Sequence, residues 1–173
     1  TIKTAMTHMK QNPKYWENDG VFTLIHMNIP HAPYRQDNCS IINFEVSDKE
    51  GYKSSVYCAL NLIHEFSDFV IKKYPNAVII IQGDHGRSHD SNATHKNYKD
   101  ISKSIIDQKL GIFSAVLGCD SKEAADLNQA NIIKYVIQCL NDDIPEVKPI
   151  NKSFMSFYSD EPEYGKVYLF NKN

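Results

Sequence analysis

Two short segments carry residue types that can do chemistry. Gly83-Asp84-His85-Gly86 sets a carboxylate beside an imidazole, an oxygen and a nitrogen donor that suit zinc, manganese or a similar divalent ion. The flanking glycines let the backbone turn so that both side chains converge, whereas successive residues of a continuing strand point to opposite faces. Asp and Gly are also ordinary turn residues after a strand, so a purely structural turn capped by Asp84 and His85 stands beside the metal reading. The second segment is Pro30-His31-Ala32-Pro33-Tyr34, in which His31 reads either as a reactive imidazole or as a solvated ring on a rigid turn.

His89 and His95 follow in the same polar stretch as Asp84, and each has the chemistry of a further metal ligand or of a proton donor to a leaving group. Lys96 and Lys99 could neutralise a phosphate or sulfate oxygen but read as solvated loop residues. His26 lies within an apolar run and reads as a satisfied core histidine; His64 should project from the helix face opposite Ile63 and Val70. The chain has no G-x-S-x-G elbow, no G-x-x-x-x-G-K-[ST] loop and no G-x-G-x-x-G fingerprint, which removes three common enzyme readings.

The elements around these residues follow from periodicity. A helix is expected in the first residues, ending before Pro13, with a turn at Asn18-Asp19-Gly20. Val21–Asn28 is an apolar run between Gly20 and Pro30 and reads as a buried strand leading into His31. Ile29–Gly51 reads as a long loop. From Ser54 to Tyr74 the residues Val56, Ala59, Leu60, Ile63, Phe66, Phe69 and Val70 recur at three and four, which predicts a helix stopped by Pro75.

Ala77–Gln82 is almost wholly apolar, as in strands covered on both faces, and it leads directly into Asp84. Gly83–Ser104 reads as a loop with room for one short helix, Leu110–Leu117 as a third strand, Asn128–Leu140 as a second amphipathic helix and Lys166–Phe170 as an edge strand. The alternation predicts an α/β fold, a mostly parallel sheet with helices on both faces. Ligands of such a sheet gather beyond the carboxyl ends of its strands.

The chain has 173 residues, 42% of them hydrophobic, enough for one substantial core, so residues 1–173 are expected to form a single unit. Nineteen basic against twenty-one acidic residues leave a formal charge of -2, so no general field recruits nucleic acid or an anionic membrane surface. No apolar run approaches the ~20 residues of a membrane span. Cys39, Cys58, Cys119 and Cys139 form no C-x-x-C pair and are expected to be unlinked thiols, with two disulfides open to an exported chain. The sequons at Asn38, Asn92 and Asn151 matter only in a eukaryotic secretory route. Thr1 stands without an initiator Met or a signal-peptide pattern, so the chain reads as excised from a longer one.

The order of strand, PHAPY, the helix SVYCALNLIHEFSDFVIKKYPNA and then VIIIQGDHG is similar to the carboxyl half of sulfatase-like proteins of the alkaline phosphatase superfamily, above all the membrane-anchored bacterial ones. The similarity covers Val21 to Leu140. It implies a partial alkaline phosphatase-like fold in which Asp84 and His85 bind a divalent metal (Zn, Mn, Mg or Ca). His31 would lie beside the transferred group, and His95 or His89 would assist.

The resemblance further implies that the nucleophile and another metal-binding carboxylate lie in a missing amino-terminal half. The implied substrate is a phosphate or sulfate ester, and the implied setting is extracytoplasmic, periplasmic or at the cell surface on a membrane-anchored parent. A non-catalytic α/β binding or structural domain is the contrasting reading.

Overall fold

In a computed structural model, residues 2–17, 20–87, 102–119, 129–141, 152–156 and 167–171 are described. The chain divides into two units, Thr1–Ala77 and Val78–Asn173.

In the first unit, helix α1 (Ile2–Gln11) buries Ile2, Met6 and Met9, spaced four and three apart on one face, and packs on helix α3 (Asp48–Lys73). Pro13 cannot donate a backbone hydrogen bond within α1, and the chain restarts as the short helix α2 (Pro13–Trp16) with proline in its first turn. The Lys10 ammonium lies 5.3 Å from the centre of the Phe69 ring of α3.

Helix α3 begins six residues before the expected Ser54, because Ser47 caps its amino end. Ser47 Oγ accepts from the Glu50 amide at 3.2 Å and donates to Glu50 Oε2 at 2.6 Å. Its buried face is built from small residues, Gly51, Ser55, Cys58, Ala59 and Ser67, with Val70. Leu60, expected on that face, is exposed.

Val21–Asn28 does not form the expected strand. It runs without regular structure, and Phe22 and Leu24 are 82% and 81% exposed. A strand needs a neighbour to take its backbone hydrogen bonds, and none of the described strands lies in this unit. His26, read as a core histidine, is exposed for the same reason.

The loop that follows folds back on itself as a small hairpin. Arg35 bridges Ile41, and the Ile42 amide donates to Tyr34 O at 2.9 Å.

In the second unit, strand β1 (Ile79–Gln82) pairs antiparallel with strand β2 (Ser114–Leu117), Ile79 opposite Leu117 and Gln82 opposite Ser114. Helix α4 (Lys103–Leu110), which ends at Gly111, lies between them in sequence, so the first half of the expected Leu110–Leu117 strand is helix end and turn. Helix α5 (Gln129–Leu140) lays Ile132, Tyr135 and Val136 against Val116, with Val78, Ile80 and Cys119 around this core. Strands β3 (Lys152–Ser156) and β4 (Val167–Asn171) form a second antiparallel pair.

The expectation of a mostly parallel sheet with helices on both faces is therefore overturned. Both described sheets are two-stranded and antiparallel, and helix dominates the described residues. Antiparallel pairing needs no crossover of fixed hand, so the long segment between β1 and β2 does not lay them side by side in parallel.

The cysteines are not free thiols. Cys39 pairs with Cys58 in the first unit and Cys119 with Cys139 in the second, so each unit holds its own disulfide. Among the described residues no helix is long and apolar enough to cross a membrane.

Candidate functional site

Asp84 and His85 sit just past the end of β1, and two backbone hydrogen bonds fix the turn that carries them. The Gly83 amide donates to Phe113 O at 2.9 Å, extending the β1–β2 pairing by one residue. The Gly86 amide donates to Lys109 O at 2.8 Å, at the carboxyl end of α4. Gly86 has no room for a side chain, since an added Cβ would press on the carbonyl oxygens of Gln108, Gly111 and Lys109. Gly83 is less confined, and its nearest neighbour, Ile112 Cγ2, lies 3.5 Å from such a Cβ.

Within this turn the Asp84 carboxylate and the His85 ring lie side by side. Asp84 Oδ1 accepts from the His85 amide at 3.0 Å, and His85 Nδ1 lies 2.8 Å from Gly86 O. In the tautomer that donates Nδ1–H to that carbonyl, the lone pair is on Nε2, the arrangement by which a backbone carbonyl orients a metal-binding histidine. His85 Nε2 stands 3.5 Å from Asp84 Oδ2. Two donors that share a tetrahedral ion at ~2.1 Å each stand about 3.4 Å apart, so the pair has the spacing of two ligands of one metal.

The side chains of Asp84 and His85 are 87% and 56% exposed, so the pair is open to solvent. The carbonyl-rich end of α4 beside Gly86 favours a cation there. Among the described residues no group of three or more His, Cys, Asp or Glu could hold a metal ion. His89 and His95, with Lys96 and Lys99, lie outside the described residues.

His31 belongs to the first unit, while Asp84 and His85 belong to the second. It is exposed, between the cis peptide bonds Ile29-Pro30 and Ala32-Pro33. The hairpin after it is tied to α3. The Arg35 amide donates to Ser55 Oγ at 2.8 Å, Ser54 Oγ to Asp37 Oδ1 at 2.9 Å, Asn61 Nδ2 to Asp37 O at 3.3 Å, and Tyr34 Oη to the Asp48 carboxylate.

Gly51 admits the Tyr34 ring against the first turns of α3. The open groove beside this loop carries Asp37, Glu45 and Glu50, a sign of charge that repels a phosphate or sulfate ester.

Ser55 is the position that the sequence reading missed. Ser55 sits on the buried stripe of α3, where a polar residue among small ones signals a hydrogen-bond anchor. Gly86 was legible only as a turn residue, because its confinement comes from α4. Compared with known proteins, the chain matches no family, no curated protein and no solved structure.

Proposed function

We propose that this chain supplies part of the active site of a metal-dependent enzyme acting on phosphate or sulfate esters, by hydrolysis or by transfer to another acceptor. The observation that carries the reading is the 3.5 Å spacing of Asp84 Oδ2 and His85 Nε2 on a turn fixed at both ends. The resemblance of PHAPY, helix and GDHG in that order supports it.

Asp84 and His85 would hold the divalent ion, which when bound offsets the negative charge developing on the ester oxygens and activates the attacking group. Asp84 contributes one carboxylate oxygen while its other oxygen holds the His85 amide. His85 contributes Nε2 while Gly86 O holds Nδ1–H and keeps the ring from rotating. The resemblance would give the His31 imidazole an oxygen of the transferred group to bind, or a leaving group to which it passes a proton.

The nucleophile and a further carboxylate ligand would come from an amino-terminal half of the same protein, as the resemblance implies. The two disulfides favour an oxidising, extracytoplasmic setting, since such bonds persist there and are rare where thiols are kept reduced.

The test is turnover of phosphate and sulfate esters by the longer protein that contains this chain, with His31→Ala, Asp84→Ala and His85→Ala. Metal-dependent turnover lost in Asp84→Ala and His85→Ala supports the reading. Unchanged turnover in both variants returns the pair to a structural turn, in which the bond from the His85 amide to Asp84 Oδ1 helps to hold the backbone.

A further inference from the structure

The loop that bears His31 has a weak hold on its own unit. None of residues 30–46 is fully buried, and its largest apolar groups face solvent, Ile41 at 46% and Phe44 at 64% exposure. Apart from the Tyr34 ring seated against Gly51, it therefore gains little from apolar burial. Its ties to α3 include hydrogen bonds in partly or fully exposed positions, each adding little against water, and one covalent bond, Cys39–Cys58.

Cys39 sits at the tip of the hairpin with φ 68, a left-handed backbone that a side chain of this kind rarely adopts unless its surroundings impose it. The turn around it is closed by Gln36 N to Ser40 O at 2.8 Å and Cys39 N to Gln36 O at 2.7 Å. Helix α3 is held by other means, namely its Ser47 N-cap, its small-residue stripe and its contact with α1. The two sulfurs also differ in access, since Cys58 is 0% exposed and Cys39 is partly exposed.

We propose that Cys39–Cys58 is a thiol-sensitive latch: oxidised, it docks the His31 loop on α3, and reduced, it releases the loop while α3 stays helical. A dithiol reductant attacks Cys39 Sγ as its thiolate, the sulfur–sulfur bond breaks, and Cys58 leaves as a thiolate and takes a proton. The second thiol of the reductant then displaces Cys39 from the mixed disulfide. Two electrons pass to the protein, which ends with two thiols, and the reductant ends as its cyclic disulfide. That the latch controls catalysis rests on the role given to His31 above; the latch itself does not.

The test follows amide hydrogen exchange and far-ultraviolet circular dichroism of the 173-residue chain during titration with dithiothreitol, alongside Cys39→Ser without reductant. The expected result is faster exchange at Arg35 and Ile42 by roughly tenfold or more, in both the reduced chain and the variant, with the helix signal kept. Unchanged exchange at these amides overturns the proposal. So does loss of the helix signal together with loop protection in Cys39→Ser, where Cys119–Cys139 stays closed, which would make the disulfide a staple of the whole unit. If the loop is released and turnover by the longer protein is unaffected, the latch stands and the role of His31 falls.

Discussion

Replacing Gly86 by alanine separates the structural and chemical parts of the site. The new Cβ would have to displace three carbonyl oxygens at the end of α4, those of Gln108, Gly111 and Lys109, the last at 2.9 Å. Backbone carbonyls cannot rotate away as a side chain can, so the turn itself must move. Overpacking of this kind costs about 1–3 kcal/mol. Loss of the 2.8 Å bond from the Gly86 amide to Lys109 O adds about 1 kcal/mol, for a total of about 2–4 kcal/mol.

Gly83→Ala is the control. Its nearest neighbours stand at 3.5 Å and beyond, so its cost stays within about 1 kcal/mol. Urea denaturation of both variants measures the difference, and zinc titration measures the consequence at Asp84 and His85, where a displaced turn lowers affinity by roughly tenfold or more. Equal stability and equal zinc affinity for the two variants would refute the claim that α4 sets the turn.

Ser47→Ala removes the N-cap of α3 and lowers stability by about 1 kcal/mol in urea denaturation, while the conservative Ser47→Thr keeps most of it. Cys119→Ser/Cys139→Ser opens a link across a sequence separation of 20 and costs about 3 kcal/mol, read as an earlier unfolding midpoint. Burial, with the Glu17 carboxylate adding to it, pushes the Tyr74 phenol above its ordinary value of 10.0, and its hydroxyl is enclosed without a hydrogen-bond partner. The folded state thus keeps this proton longer than the unfolded one. Stability from this group is whole below pH 10.0 and is lost as pH rises from there through the folded value, so Tyr74→Phe makes the unfolding midpoint fall less steeply above that pH.

Local signals were the ones the sequence expressed well. The three-and-four spacing around Val56–Val70 and in Ile132–Leu140 gave α3 and α5, a helix was expected in the first residues where α1 lies, and Pro13 and Pro75 marked where helices stop. The run Ile79–Gln82 ahead of Asp84, and the edge strand near Val167–Phe170, also lie where the apolar pattern put them. The start of α3 was expected at Ser54 and lies at Asp48, where Ser47 and Glu50, three residues apart, mark it.

Properties that depend on partners were not legible. Val21–Asn28 has the composition of a strand, but strand formation needs a neighbour that no local pattern discloses. The long connection between β1 and β2 is compatible with either pairing direction, so the expected parallel sheet gave way to an antiparallel pair. The disulfides join residues 19 and 20 apart with no motif, and only the packing of a hairpin on α3 and of Cys119 beside α5 brings them together. At the site, the sequence pointed to Asp84 and His85 but not to the carbonyls of α4 that hold Gly86.

The most direct test of the central claim is calorimetric titration of the 173-residue chain with Zn2+ and Mn2+, set against Asp84→Ala/His85→Ala. The account predicts that one ion binds to the native pair and that its affinity falls at least about tenfold in the double variant while the fold is kept. Equal binding by both proteins, or no binding by either, would contradict it and leave Gly83–Gly86 as a turn between β1 and α4.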